Sequence, residues 1–220
     1  MLTWGTLLSD LWLDMGDAGD NHRLEGERAY LYLRFALQDY SQWNPLGQAA
    51  TLDLDDTGTA PLPDNYLRLY DVREAGTHKI ILPARGGSNP PGFSITARAL
   101  RYWIEGNNLR VNSWANSPDR VDLHYGAYHT QPTDAADIEF ALTLPLEDEE
   151  AIILYMRAKF IGATRSRTAL LDRYKPKNAA GNTRKDNPLT PEESDLMAEY
   201  LALMIQKYGS HGSISLRRRR

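Results

Sequence analysis

Apolar residues recur at helical spacing near both ends of the chain. Residues 2–15 predict a short helix, because apolar side chains repeat there at the i, i+3 and i+4 spacing of one helical face. A second helix is predicted over residues 22–41. Asn44-Pro45 ends it, because the residue before a proline is disfavoured in the helical conformation.

The pattern changes between residues 48 and 145. Clusters of turn residues alternate there with short runs rich in β-branched and aromatic residues, which is typical of antiparallel strands. Gly106-Asn107-Asn108 separates two such runs and predicts a hairpin, because Gly and Asn tolerate positive φ. This stretch therefore predicts a β subdomain.

Helical periodicity returns after residue 146. The third predicted helix begins with a run of acidic residues and carries Arg and Lys on its later turns, an order that suits the helix dipole. A polar loop follows over residues 177–188. Thr190-Pro191, with Glu193 three residues after the threonine, is a strong start for a fourth helix, which runs to about residue 208.

These elements predict an α+β fold with four parts. Residues 1–47 and 146–208 form the core, a bundle of four helices, and a small antiparallel β subdomain (48–145) is inserted between the second and third helices. Residues 209–220 form a flexible basic tail.

Composition narrows the class of protein. The 220 residues include no cysteine, which rules out disulfides and Cys-based metal sites. No apolar run reaches the length of about 18 residues that would span a bilayer, so we expect no membrane association. The N-terminal stretch lacks a basic region, which argues against a signal peptide.

The net charge of −4 is unevenly distributed. Residues 1–156 hold 11 basic and 23 acidic side chains, a net charge of −12, whereas residues 157–185 hold nine basic and one acidic, a net charge of +8. Residues 186–220 are neutral overall, although four of their five basic residues are the last four of the chain. Such asymmetry indicates either an acidic and a basic face or simply patchy solvated surfaces.

Catalytic and metal-binding motifs are missing from the sequence. No HExxH, phosphate loop or nucleophile elbow occurs, so we predict no enzymatic activity, no catalytic residue and no cofactor. The spacing of five residues matches a calcium-binding loop, but two prolines interrupt that loop and we predict a simple acidic turn instead of a metal site. The five residues are Asp53, Asp55, Thr57, Gly58 and Asp64.

Two features of the sequence leave alternatives open. The aromatic residues of the β subdomain either fill its core, the reading we favour, or are exposed and stack on sugars. The terminal arginines, Arg217–Arg220, either dock on an acidic partner, contact DNA phosphates, or form a tail without a partner.

Three phrases within the β region, followed by the helix with an acidic start, resemble the adaptor (head–tail connector) proteins of tailed bacteriophages. The phrases are LPDNYLRLYDVR (residues 62–73), YWIEGNNLRVN (102–112) and VDLHYGAYHTQP (121–132). The order of short N-terminal helices, β insertion and two C-terminal helices is similar as well. The resemblance covers residues 2–208, and its motifs are structural and moderately specific.

This resemblance implies a structural virion protein of the neck region, assembled in the host cytoplasm. Its copies would form a ring, commonly twelve-fold, that joins the portal of the DNA-filled head to a neck stopper or tail protein. The ring would extend the DNA channel, through which DNA passes without sequence-specific binding. The alternative function is a carbohydrate- or receptor-binding β module of a phage tail.

A ring of identical subunits uses heterologous contacts, in which one face of a subunit meets a different face of its neighbour, and complementary charges would set the register. The C-terminal segment would reach the portal, so the predicted portal-docking residues are Arg217, Arg218, Arg219 and Arg220. The predicted ring-interface residues are Glu147, Glu149, Glu150, Arg157, Arg165, Arg167 and Arg173.

Overall fold

The structure of the chain is a computed structural model. It describes residues 2–16, 24–84, 100–112, 118–172 and 189–209, without the side chains of 165–172 and 189–191. The chain forms two compact units, which we call the helical unit (Met1–Asn44 and His129–Arg220) and the β unit (Pro45–Tyr128). The backbone passes between them at two chain crossings, Asn44-Pro45 and Tyr128-His129.

Among its described residues, the helical unit contains four α-helices and one short 3₁₀ helix. They are α1 (Trp4–Asp14), α2 (Gly26–Trp43), η1 (Leu146–Asp148), α3 (Glu149–Asp172) and α4 (Leu189–Tyr208). Thr3 caps α1, because its side-chain oxygen accepts a hydrogen bond from the amide of Thr6. Helix α3 packs against each of α1, α2 and α4 and is therefore the centre of this unit.

A segment of turns and irregular structure that precedes η1 holds the start of α1. The amide of Trp4 donates to the carbonyl of Phe140 at 2.9 Å, and that of Gly5 donates to Ile138 at 2.8 Å. The indole Nε1 of Trp4 donates to the carbonyl of Ala135 at 3.0 Å. A Cβ atom at Gly5 would lie 3.0 Å from the Ile138 carbonyl oxygen, so this close approach favours glycine.

The core of the helical unit is continuous across all four helices. Apolar side chains on one face of each helix are buried together, which is the pattern expected for amphipathic helices. The largest fully buried members are Trp4, Leu7, Leu11, Leu24, Leu33, Leu37, Tyr40, Ile152, Met156 and Tyr200.

Seven strands lie in the part of the β unit that the structure describes. They are β1 (Leu46–Asp53), β2 (Thr59–Pro61), β3 (Tyr66–Glu74), β4 (Ile80–Pro83), β5 (Arg101–Glu105), β6 (Asn108–Val111) and β7 (Arg120–Ala127). They form one mixed, nearly closed sheet in the order β1-β7-β3-β4-β5-β6-β2. All neighbours are antiparallel except β4 and β5, which are parallel.

Turn chemistry sets the register of the β5–β6 hairpin. Glu105 pairs with Asn108, so the loop consists of Gly106 and Asn107. Gly106 has a φ of 61°, a conformation that glycine adopts without strain. The hairpin predicted from this sequence is confirmed.

The sheet encloses its own core. Alternate residues of β7 point inwards, and Val121, Leu123 and Tyr125 are buried with Val72 of β3 and Leu109 of β6. The β unit therefore buries enough apolar surface to form a hydrophobic core separate from that of the helical unit.

The predicted fold class is wrong. The chain does not consist of a four-helix bundle core with a small antiparallel β insertion, because a seven-stranded mixed, nearly closed sheet accompanies the four helices. A parallel pair needs a long connection, and residues 84–100 between β4 and β5 provide one. The closely spaced turn clusters in the sequence favour hairpins that follow one another. Strands joined by hairpins are antiparallel, so this pattern does not predict the parallel pair. One of the short runs that predict strands, FSITA (residues 93–97), lies outside the described residues.

Candidate docking surface

A concavity of about 550 Å³ opens on the helical unit and is strongly acidic. Six carboxyl groups and a single guanidinium line it, together with three apolar side chains. The lining residues are Asp10, Asp14, Leu146, Glu147, Glu149, Glu150, Ile153, Leu154, Arg157 and Glu199. We call this concavity the acidic surface.

Four elements of the helical unit bring these carboxyl groups together. Asp10 and Asp14 are four residues apart on α1, so they lie on the same side of that helix. Glu147 belongs to η1, and Glu149 and Glu150 belong to the first turn of α3, where the helix dipole favours negative charge. Residue 199 of α4 adds the sixth carboxyl group.

Glu149 is the most constrained carboxyl group of the acidic surface. Its Oε1 atom is buried and has no hydrogen-bond partner among the described residues. Burial raises the pKa of Glu149, and a hydrogen bond and charge repulsion from Asp10 raise it further. The carboxyl groups of Glu149 and Asp10 therefore tend to share one proton.

Arg157 compensates part of this negative charge within the same chain. Its Nη1 atom lies 2.6 Å from Oδ2 of Asp14. Because six carboxyl groups face one guanidinium, the surface carries a net negative charge. Leu146 lies at the rim and is 67% exposed, so apolar area is available beside the carboxylates.

The structure brings four of the predicted ring-interface residues into this one surface, namely Glu147, Glu149, Glu150 and Arg157. The side chains of Arg165 and Arg167, and the whole of Arg173, lie outside the described residues. The predicted portal-docking residues, Arg217–Arg220, also lie outside them. The interface assignment itself stays a prediction.

Sequence reasoning missed Asp10, Asp14 and Glu199 as members of the surface. The i, i+4 spacing of Asp10 and Asp14 is a signal that both carboxylates share one side of α1. No comparable signal marks Glu199, because its position depends on how α4 packs against α3.

A buried carboxylate lies beside the acidic surface. Asp148 is fully buried, and its Oδ1 accepts a hydrogen bond from Lys207 at 2.7 Å. Its Oδ2 accepts from the hydroxyls of Tyr40, at 2.5 Å, and Tyr208. Burial opposes ionisation, but these three donors outweigh it and the pKa of Asp148 is lowered. We call Asp148 and its three donors the Asp148 hub.

His129 is buried next to this hub and has partners for both ring nitrogens. Nε2 lies 2.8 Å from the carbonyl of Asn44, and Nδ1 lies 2.9 Å from Oγ1 of Thr143. Burial lowers the pKa of His129. Its ring also packs edge-on against Tyr40, with ring centroids 5.1 Å apart. The imidazole is therefore a satisfied, neutral core group.

The outer face of β3 and β7 carries a ladder of charged residues. Nδ1 of His124 lies 3.0 Å from Asp71, which also accepts two hydrogen bonds from Arg73 at 3.0 and 3.1 Å. Arg73 and His124 therefore lower the pKa of Asp71. On the next row, Asp122 accepts from Thr51 at 2.8 Å. Arg73 compensates the charge of Asp71, and the contacts between neighbouring strands stabilise the sheet.

The candidate calcium loop forms a compact turn. The Oδ1 atom of Asp55 accepts hydrogen bonds from the amides of Thr57 and Thr59, both at 2.8 Å, and from the Thr57 hydroxyl at 2.6 Å. Gly58 completes the turn with a φ of 75°. Within the described ranges, no three potential metal ligands come together.

No protein-family model matches the chain, and no characterised protein is significantly similar to it in sequence. In the part of the chain that the structure describes, no helix has both the length and the apolar character needed to cross a membrane.

Proposed function

We propose that the chain is a structural virion protein, an adaptor subunit whose ring joins the portal of a DNA-filled phage head to the neck or tail. The acidic surface carries this proposal. Like charges held together in a concavity destabilise an isolated subunit, and a cationic segment that enters the concavity relieves that repulsion. Such a surface is suited to docking a basic partner.

The chain itself offers the complementary charge. Residues 158–185, which follow Arg157, carry eight basic side chains and one acidic, so a second copy can supply cations to the acidic surface of the first. A contact between two different faces of identical subunits is heterologous, and it closes into a ring when the rotation per subunit is suitable. The resemblance of the β-unit phrases to phage adaptors supports the same assignment.

The alternative, a carbohydrate-binding β module, has less support. Sugar-stacking sites need exposed aromatic rings side by side. Among the described residues of the β unit, Tyr70 is the large aromatic side chain that is exposed, at 49%. The guanidinium of Arg68 lies over that ring, 5.4 Å from its centroid. Tyr66 and Tyr125 stack against each other at a tilt, and Tyr125 is buried.

The test is electron microscopy of particles made by a phage that encodes this chain, with the gene deleted and then complemented. Deletion should give DNA-filled or leaking heads without tails, and the unchanged chain should restore complete particles. A variant with Glu147→Lys and Glu150→Lys should fail to restore them, because it reverses two charges of the acidic surface.

The matched control carries Glu27→Lys and Glu139→Lys. Both residues are exposed in the helical unit and lie outside the acidic surface, so the net charge changes equally. This control should restore complete particles. Infectious particles after deletion would overturn the adaptor role. Full rescue by the Glu147 and Glu150 variant would overturn only the role of the acidic surface.

A further inference from the structure

The Asp148 hub lies where α4 ends, and it also touches the residues at which the chain leaves and re-enters the helical unit. Lys207 and Tyr208 are next to each other in the last turn of α4. Both donate to Asp148, and Lys207 also donates to the carbonyl of Glu147. The last turn of α4 is therefore fixed by contacts to η1.

The same hub extends to the first chain crossing through Asn44. Its Nδ2 atom donates to the hydroxyl of Tyr40 at 2.7 Å and to that of Tyr208 at 3.2 Å. The two hydroxyls lie 3.1 Å apart and share Oδ2 of Asp148 as an acceptor. The side chain of Asn44, at the first crossing, therefore contacts the hydroxyl groups of both tyrosines.

The second chain crossing is tied to the first. His129 contacts the carbonyl of Asn44 through Nε2, and its amide donates to the buried hydroxyl of Ser41 at 3.0 Å. Its ring rests on the edge of Tyr40, which is itself bonded to Asp148. A continuous set of hydrogen bonds and ring contacts therefore connects the last turn of α4 to both crossings.

We propose that the Asp148 hub is a latch that couples the seating of the last turn of α4 to the arrangement of the two chain crossings. Two of the three donors to the buried carboxylate come from that turn. When the turn leaves, Asp148 keeps Tyr40 alone, and Asn44 loses one of its two phenol partners. Networks of this kind lose more than the sum of their separate bonds, so the crossings loosen with the turn.

The latch gives the C-terminal end of α4 a mechanical role that is independent of the proposed adaptor function. Lys207 and Tyr208 are side chains of the last turn that hold it to Asp148. Their release changes the contacts of Asn44 and, through Tyr40, those of His129, although neither residue belongs to α4.

The test is residue-resolved hydrogen exchange of the full chain and of a variant with Lys207→Met and Tyr208→Phe, which keeps the shape of both side chains. The reporter is the amide of His129 at the second crossing, whose acceptor is the Ser41 hydroxyl, three residues before Asn44. We expect its exchange to become at least about tenfold faster, which corresponds to about 1.4 kcal/mol of opening free energy.

Three controls distinguish loss of the latch from general destabilisation. Gln206→Ala changes an exposed neighbour on the same turn and should leave the exchange of His129 unchanged. The amides of Trp4, bonded to Phe140, and of Val111, bonded to Gly58, report general unfolding of each unit and should also stay unchanged.

The proposal is supported only if the last turn of α4 and His129 exchange faster together while the Trp4 and Val111 amides do not. Faster exchange in the last turn alone overturns the coupling. No change anywhere overturns the seating role of Lys207 and Tyr208. Equal acceleration of all reporters is general destabilisation, and that result also overturns the latch.

Discussion

Replacing Glu149 by glutamine should stabilise the helical unit at neutral and alkaline pH. The substitution removes a charge whose Oε1 atom is buried without a hydrogen-bond partner among the described residues, and it supplies an amide donor to Asp10. Relief of an unsatisfied buried charged group is worth about 1–3 kcal/mol. Loss of a negative charge from the first turn of α3 costs about 0.3–1 kcal/mol. The expected net gain is about 1 kcal/mol, or about 2–4 °C in Tm for a chain of this length.

The gain should depend on pH in a defined direction. The pKa of Glu149 is raised above its usual 4.5, so the folded chain binds more protons than the unfolded chain above that pH. The stability that this proton contributes is complete below about pH 4.5 and is lost as the pH rises through the raised pKa. Glu149→Gln keeps a neutral group at all pH values, so its advantage should vanish near pH 4 and be largest near pH 8.

Thermal unfolding followed by the helical circular dichroism signal, at steps between pH 4 and 8, measures this difference. Glu150→Gln is the matched control, because Glu150 is in the same helical turn and the same surface but is exposed. It should lose the dipole contribution of about 0.3–1 kcal/mol and gain nothing. Two results would refute the reasoning. One is a Glu149→Gln variant that is less stable than the unchanged chain at pH 8, and the other is a difference in stability between the two proteins that does not change with pH.

Three further substitutions or conditions test the packing around the crossings and α4. Burial lowers the pKa of His129 below its usual 6.5. The stability that neutral His129 contributes should therefore be present above pH 6.5 and be lost as the pH falls through the lowered pKa. In urea unfolding, the stability of His129→Gln should depend less steeply on pH than that of the unchanged chain. Tyr200→Phe removes a 2.6 Å hydrogen bond to Asp39 and should cost about 1.5–3 kcal/mol in urea unfolding; a cost below 0.5 kcal/mol would contradict a charged acceptor. Gly126→Ala would place a Cβ atom 2.9 Å from that of Pro45 and should destabilise the β unit by about 1–3 kcal/mol, and an unchanged urea midpoint would show that β7 yields freely.

Local patterns in the sequence were sufficient for the helices and for one hairpin. Apolar periodicity correctly predicted α4 and its end at Tyr208, although the helix begins at Leu189, one residue before the predicted capping Thr190. Gly106 correctly marked the β5–β6 turn because positive φ is a local requirement. These features depend on residues that are neighbours in sequence, which is why a single sequence carries them.

Long-range features could not be predicted in this way. The parallel pairing of β4 with β5 depends on the path between them, and no local pattern encodes it. The run Glu147–Glu150 gives a sharper case. Nothing in those four acidic residues distinguishes Asp148, which is fully buried, from Glu147, which is exposed. The difference arises from Lys207 and Tyr208, about sixty residues away, which supply the hydrogen bonds that make burial of one carboxylate favourable.

The pairing of Leu46 with Ala127 has a consequence for the order in which the chain folds. The β unit is continuous in sequence, so it can fold as soon as residue 128 has been synthesised, while α1 and α2 still lack α3 as a packing partner. Pairing of β1 with β7 brings the two ends of the insertion together. The entropic cost of closing this long loop is therefore met before the helical unit assembles. The helical unit then assembles as though a short connection joined residues 44 and 129. Slowing β1–β7 pairing should therefore slow the folding of helices that this pairing never touches.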